Sequence, residues 1–418
     1  MGGDVSKNNK KNLARLEEGQ CLSRWRRCLS SMGVSGTCHL SLLRFASWQL
    51  EREVPVPEHL LSPAPGPEKP NLEWTLPGFI SIFLPEFPHR RSSGQQHLQI
   101  LGFIAKGSYG PILKVKDLCR EKTYAIKVLP KSEILKHGVL QQSKEEVIIQ
   151  RQVRHPFLHD LQDCWQTQHH LFIMCDYYSA GDLYTYWMMM GCFQEDELRV
   201  FAAELGSALG FLHDFGIIHR DVKMENVLLT DQGHLRLADF GLSRRLEHGR
   251  RAFTICGTIQ YMAPEVLSGG PYNHAADWWS LGILLFSLAT GKFPVAPEPE
   301  HCSMLRKVRS FPYDMPSTFS PAFALLLKEL LCKTPAHRLH SLERLQRQAF
   351  FRGTPFDAQL LQKAPVQLIL ELKSRPDHMV QMQHGLTNKS FQNFDCNFLS
   401  SPISPTDLSP TLANLGLN

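Results

Sequence analysis

His219-Arg220-Asp221-Val222-Lys223-Met224-Glu225-Asn226 is the stretch on which the reading of this chain turns. Asp239-Phe240-Gly241 and then Ala263-Pro264-Glu265 follow it in that order. Upstream, Ala105-Lys106-Gly107-Ser108-Tyr109-Gly110 lies between two strand-like runs. Glycines in such a turn let the backbone come close to an anion, because no side chain blocks the approach. Tyr124-Ala125-Ile126-Lys127 ends an apolar strand on a lysine. A lysine on the buried side needs an anionic partner, which phosphate oxygens and a helix carboxylate would supply. Alone, a turn with two glycines is more often only a turn, and strand-edge lysines are common. The ordered set is what carries weight.

That set resembles the catalytic domain of eukaryotic protein kinases, over about Leu98 to Phe351. A chance match to the five fixed positions of its catalytic loop is expected on the order of once in millions of windows. The resemblance implies a serine/threonine protein kinase that acts on protein substrates and uses ATP and Mg²⁺. In this family phosphoryl transfer rests on positioning and charge neutralisation. By resemblance, Ile104, Ala105, Lys106, Gly107, Ser108, Tyr109, Gly110, Pro111 and Ile112 cover the nucleotide, with Asp176, Tyr178 and Asp182 completing its pocket. Lys127 is implied to hold the phosphates and to pair with Glu146, with Glu145 as the alternative. Asp221 is implied to orient the substrate hydroxyl and accept its proton, and Lys223 to steady the transferring phosphate. Asn226 and Asp239 are the implied Mg²⁺ ligands, hard oxygens for a hard cation. The pairing of Lys223 with Thr258 is the serine/threonine pattern rather than the tyrosine one. Glu265 is expected to pair with Arg338, and Asp277 to anchor the backbone of the catalytic loop. Thr254 is the implied activation-loop phosphosite, served by an upstream kinase, with Arg220 as the cation that would receive its phosphate.

Three further phrases narrow the resemblance. Tyr124 to Leu129, His155-Pro156-Phe157 and Gly257 to Glu265 are similar to the AGC group (protein kinases A, G and C), and within it to the ribosomal S-six kinases. Phe394-Asp395-Cys396-Asn397-Phe398 resembles the tail segment that crosses the nucleotide cleft in that group. The departures are specific. Ala105 replaces the first glycine of the phosphate loop, and Pro111 follows the last, which stiffens it. Gln150 stands where an apolar packing residue is usual, so its amide is expected to be buried at a cost. Ser287 replaces an acidic residue, leaving Asp182 and Glu225 to attract a basic side chain in the substrate. The Phe-x-x-Phe-Ser/Thr-aromatic tail motif is absent. Such departures keep a second reading in view, a kinase-fold scaffold that binds nucleotide with little turnover.

The fold expected is α+β and two-lobed, with a β-rich lobe followed by a helical one. Strands are expected over His97–Ile104, Ile112–Lys116, Tyr124–Leu129 and Leu171–Tyr177, with one helix, Gln142–Val153, among them. Helices over Leu198–Phe215, Ala276–Thr290 and Pro321–Leu331 follow. Residues 1–96 form a basic, proline-rich region expected to be largely disordered, with Val54–Arg90 as an extended tether. Within it Phe79–Phe87 is apolar enough to dock. Residues 352–418 read as a thin, extended tail. Met1-Gly2-Gly3-Asp4-Val5-Ser6 fits the pattern for myristoylation of Gly2, and nearby lysines, arginines, Cys21 and Cys28 offer the second membrane signal that one acyl chain needs. A cytoplasmic protein with an acylated, membrane-associated N-terminus is therefore expected. The eleven cysteines are scattered without Cys-x-x-Cys pairs, so neither a zinc site nor a disulfide framework is suggested. A net charge of +5 is too mild to argue for a nucleic-acid partner.

Overall fold

The structure, a computed structural model, describes residues 76–90 and 98–373. Helix α1 (Leu76–Ser81) precedes an antiparallel five-stranded sheet in the order β1-β2-β3-β5-β4. Its strands are β1 (Leu98–Lys106), β2 (Pro111–Asp117), β3 (Lys122–Pro130), β4 (Leu161–Gln166) and β5 (His170–Asp176). Helices α2 (Lys131–Lys136) and α3 (Leu140–Gln152) fill the connection between β3 and β4. Side chains alternate along a strand, and β3 divides accordingly. Tyr124, Ile126 and Val128 join Trp165, Phe172 and Met174 in one apolar cluster. Leu129 joins Leu171, Ile173 and Cys175 in another, where Val147 of α3 packs. Lys127 shares the parity of Leu129, so the period of the strand alone aims this lysine at α3.

The rest is mainly helical: α4 (Leu183–Met190), α5 (Glu195–Asp214), α6 (Pro264–Leu267), α7 (Ala275–Thr290), α8 (His301–Ser310), α9 (Pro321–Leu330), α10 (Leu342–Gln346), α11 (Ala358–Leu361) and α12 (Gln367–Lys373). Two small antiparallel pairs complete it: β6 (Ile217–Ile218) with β9 (Arg244–Arg245), and β7 (Val227–Leu229) with β8 (Leu235–Leu237). Every residue of α7 from Ala275 to Leu288 is buried, as an apolar surface all round a helix requires. At the start of α5, the Gln194 N–H donates to Glu197 Oε2 at 2.8 Å, and Glu195, Asp196 and Glu197 face the positive end of the helix dipole. The α+β, two-lobed expectation is met, with helix and strand ends displaced by a few residues.

The packed unit extends past both expected boundaries. Within the described part of the tether, Phe83 and Phe87 are fully buried among Leu129, Ile134, Val147 and Leu171. Prolines do limit helix here, and α1 is short. Yet Phe83 and Phe87 lie beyond that helix, and burying each ring is worth about 1.5–3 kcal/mol, enough to dock the segment. The expected thin tail after Gly353 also corrects itself: Leu361, Val366 and Ile369 are buried, and the Val366 N–H donates to the Gly233 carbonyl at 2.9 Å.

One buried ion pair ties the two halves of the helical region. Arg338 has no exposed surface; it donates to both Glu265 oxygens at 2.6 and 2.9 Å and to the carbonyls of Ala275 and Cys332, each at 2.9 Å. Removing one partner strands a buried charge. Arg338→Met is therefore expected to lower the unfolding free energy by about 3–5 kcal/mol in urea titration. A loss below about 1 kcal/mol, the size of a surface pair, would refute the buried-bridge assignment.

Candidate active site

Lys127 Nζ donates to both Glu146 oxygens, at 2.7 and 3.0 Å, and stands 3.7 Å from Asp239 Oδ1. Burial pushes the Glu146 carboxyl up. Burial also opposes the Lys127 ammonium, but Glu146 and Asp239 together outweigh it and hold the lysine well above its ordinary range. A cation that answers two carboxylates stays charged. The partner is thus Glu146 and not its neighbour Glu145. Helix α3 reaches the Asp239 turn as well, since Gln142 Nε2 donates to the Gly241 carbonyl.

The catalytic loop hangs from α7. Asp277 accepts the backbone N–H groups of His219 and Arg220, each at 2.9 Å, and the His213 ring at 2.9 Å. Burial would raise its pKa, yet the His213 hydrogen bond and the neighbouring charges hold it below the usual carboxylate range. His219 Nε2 donates to the Ala238 carbonyl at 3.1 Å while its Nδ1 accepts the Asp221 N–H at 3.3 Å, which fixes the neutral tautomer. Burial lowers the pKa of this histidine in the same sense. Phe240 meets the His219 ring edge-on at 5.4 Å and is itself fully buried. Between these anchors Arg220 and Asp239 take left-handed backbone, with φ of 67° and 62°. Non-glycine residues adopt that region rarely and at a cost.

Asp221 is thereby delivered into a polar cluster. Its Oδ1 accepts the Thr258 hydroxyl at 2.7 Å. Lys223 Nζ lies 3.0 Å from Thr258 Oγ1 and 2.9 Å from Asp221 Oδ2. Asn226 Nδ2 donates to Asp221 Oδ2 at 3.0 Å and to the Asp221 carbonyl at 2.9 Å. Gly257, with φ of 107°, lets the Thr258 segment close in: a Cβ there would stand 2.5 Å from the Arg220 carbonyl.

Across the cleft, Ile104, Ala105 and Lys106 end β1, Gly107, Ser108, Tyr109 and Gly110 form the turn, and Pro111 and Ile112 open β2. The Gly107 N–H donates to the Gly110 carbonyl at 2.8 Å. A Cβ on Gly110 would meet the Val128 carbonyl at 1.9 Å, so only glycine lets this turn fold back over β3. Ala105 is exposed and its φ is negative, so the missing glycine imposes no backbone strain. Pro111 takes the first position of its strand, where proline is tolerated. Asp176 ends β5; its carboxylate pairs with Lys122 at 2.7 Å and its carbonyl accepts from His159 Nε2 at 2.8 Å. Tyr178 packs on the His159 ring at 5.5 Å. Asp182 caps α4, accepting the Thr185 N–H and hydroxyl at 2.9 and 3.1 Å. His159, Cys175 and Gln142 were not singled out from sequence. Their contacts join residues far apart in the chain, and only proximity to His155-Pro156-Phe157 hinted at His159.

The model of the protein kinase domain matches residues 98–351. The chain belongs to the protein kinase family. It is 53% identical over 359 residues to the ribosomal protein S6 kinase-related protein of Homo sapiens, covering 86% of each chain. It is 35% identical over 286 residues to a RAC family serine/threonine-protein kinase homolog of Dictyostelium discoideum, covering 68% of this chain and 64% of that one. Ribosomal protein S6 kinase alpha-3 of Homo sapiens matches at 35% identity over 274 residues, 63% of this chain and 36% of the relative. This kinase is of the AGC type resembling the S-six kinases, and it transfers the γ-phosphate of ATP to serine or threonine hydroxyls of proteins.

Protein kinases use ATP and Mg²⁺, and the residues present suit that cation. Asn226 commits its amide nitrogen to Asp221, which leaves Oδ1 as its acceptor, and the Asp239 side chain is 42% exposed. Asn226 and Asp239 would hold Mg²⁺ through oxygen donors of the hard type it takes, and the ion would supply positive charge there. Thr254 is half-buried, and its carbonyl accepts from the Tyr272 hydroxyl at 2.7 Å. Gly2 and the Phe394–Phe398 match lie outside the described residues. Gln150 is buried as expected: Nε2 reaches only Cys175 Sγ, at 4.0 Å, and Oε1 has no hydrogen-bond partner. Replacing that amide by an isosteric apolar side chain removes an unmet polar group. Gln150→Leu is expected to stabilise the kinase by about 1–3 kcal/mol in urea titration; a destabilised variant would mean the amide has a partner after all.

Proposed function

We propose that this kinase binds Mg-ATP between the sheet and the catalytic loop, with Asp221 as the group that takes the proton of the substrate hydroxyl. The observation that carries this reading is the Asp221–Thr258–Lys223 cluster, held within 2.7–3.0 Å by a loop whose backbone is anchored on Asp277. Mg-ATP supplies the phosphoryl group and the metal charge that neutralises it. Lys127, kept in place by Glu146, orients the α/β-phosphates, while Asn226 and Asp239 hold the cation. Lys223 faces the transferring phosphate. As the substrate oxygen bonds to the γ-phosphorus, the bond from that phosphorus to the β,γ-bridging oxygen breaks and ADP leaves, while the substrate O–H proton passes to Asp221 Oδ. The departures at Ala105 and Gln150 leave each of these charged groups in place, which favours turnover over a scaffold role.

Thr254 is the regulatory phosphosite in this reading, and an upstream kinase is the partner that modifies it. Arg220 already donates to the Leu242 carbonyl at 2.5 Å and to the Tyr272 hydroxyl at 3.4 Å, partners that bring no full negative charge. Tyr272 also holds the Thr254 carbonyl, so a phosphate on Thr254 would arrive beside this guanidinium. For substrate selection, Asp182 is half-buried and Glu225 exposed, whereas Ser287 is fully buried behind Trp187, whose Nε1 donates to its carbonyl. One selective upstream basic position, rather than two, follows. In a peptide-library assay with labelled ATP, Asp221→Asn is expected to reduce transfer by roughly 10²–10⁴-fold with unfolding unchanged. Thr254→Ala is expected to lose the activation that an upstream kinase gives the wild type. Full transfer by Asp221→Asn would overturn the assignment, and equal activity of Thr254→Ala after activation would remove the phosphosite.

The same proposal places the kinase in the cytoplasm, attached to membranes through myristate on Gly2 and a basic second signal. The support is the Met1–Ser6 pattern and the lysines and arginines that follow it. Membrane fractionation of wild type against Gly2→Ala should move the protein from pellet to cytosol. Identical distributions rule the acyl anchor out.

A further inference from the structure

Helix α3 carries Glu146, yet it is poorly equipped to hold itself on the sheet. Its sequence, Leu140-Gln141-Gln142-Ser143-Lys144-Glu145-Glu146-Val147-Ile148-Ile149-Gln150-Arg151-Gln152, is mostly polar, and the buried Gln150 amide adds an unmet acceptor. A helix with so little apolar surface depends on contacts from outside itself. The docked segment 79–90 supplies them on both sides of Glu146. Phe83 and Phe87, each fully buried, pack with Val147, the residue after Glu146. Lys144, two residues before it, donates to the Leu84 carbonyl at 3.1 Å and pairs with Glu86 at 2.9 Å.

The segment is received by side chains fitted to it. Lys131, wholly buried, donates to Gln166 Oε1 at 2.6 Å and to the Phe79 carbonyl at 3.3 Å, and its ammonium lies 5.1 and 4.8 Å from the Phe79 and Phe83 rings. Gln166 returns its amide to the carbonyls of Phe87 at 2.6 Å and Ile80 at 3.1 Å. Backbone carbonyls met one by one by buried side chains mark a built seat, since an irregular segment lying there would otherwise bury unpaired acceptors.

We propose that residues 79–90 are an intramolecular positioning element that holds α3 against the sheet and so keeps Glu146 on Lys127. Phe83 and Phe87 are positioning residues; they act on the reaction only through Glu146. The inference rests on the assignment of Lys127 and Glu146 to phosphate orientation, and the experiment separates the two. In the full-length kinase, Phe83→Ala/Phe87→Ala is expected to lower kcat about tenfold, with KM for the peptide unchanged. Amides of residues 140–152 should exchange hydrogen about tenfold faster, while those of residues 195–214 keep wild-type rates. A synthetic peptide of residues 76–90 added in trans should restore both kcat and protection. Lys144→Met, half-buried beside the segment and outside the apolar core, should show the same pattern at about two- to threefold. Unchanged exchange over 140–152 overturns the proposal. So does loss of protection across both helices without peptide rescue, which is the signature of a merely structural role. Faster exchange over 140–152 with unaltered kcat overturns the Lys127–Glu146 reading instead, and with it the catalytic consequence of the brace.

Discussion

The geometry of this kinase depends on one buried carboxylate. Asp277 sits in the first turn of a helix that is otherwise apolar on every side, a position where a charge is unfavourable unless each oxygen is met by donors. The backbone N–H groups of His219 and Arg220 and the ring of His213 meet it. Two of those donors belong to consecutive residues, so the peptide between them is fixed in orientation. The chain can then continue only by turning Arg220 into left-handed backbone, and that turn sends Asp221 toward Thr258. The histidine, the strained arginine and the reactive carboxylate are consequences of a single anchoring point in the hydrophobic interior.

The other half of the site is held by different means. Lys127 is aimed by strand parity, which is rigid, but its partner Glu146 rides on a polar helix with a buried, unmet amide. One wall of the cleft is therefore fixed by the core and the other by a set of individually modest contacts. Local stability follows apolar burial and hydrogen-bond satisfaction, so these two walls differ in how readily they open. Asp239 is reached from both, through Lys127 and through the Phe240 ring set edge-on against His219.

Much of this was legible in the sequence because the chemistry is local. The run from His219 to Asn226 packs acid, base and metal ligand into a few residues, and strand alternation around Lys127 already implied a facing carboxylate. Gln150 was legible too, since one turn of helix from Glu146 fixes which way it points. The sequence could not show that Asp176 gives its carbonyl to His159, or that Gln142 reaches Gly241, because those contacts are made by folding rather than by spacing. The proline-rich stretch before the sheet is legible in part: proline density limits regular helix, and Phe79–Phe87 is apolar enough to dock, as Phe83 and Phe87 do. Its seat is not legible, because Lys131, Gln166 and Val147 reach it only through folding. After Gly353, Leu361, Val366 and Ile369 are too sparse to form an obvious pattern yet enough to pack.

The position of the docked segment in the chain also sets an order on synthesis. Phe79, Phe83 and Phe87 leave the ribosome before Leu129, Val147, Gln166 and Leu171 exist, although these form their seat. At about 5–20 residues per second the rings wait for several seconds with nothing to cover them. During that interval they are exposed apolar surface of the kind that chaperones bind and that associates with other nascent chains. Closure of the segment is thus among the last events available to the β-rich lobe, and it can occur only on a sheet whose fifth strand is already paired.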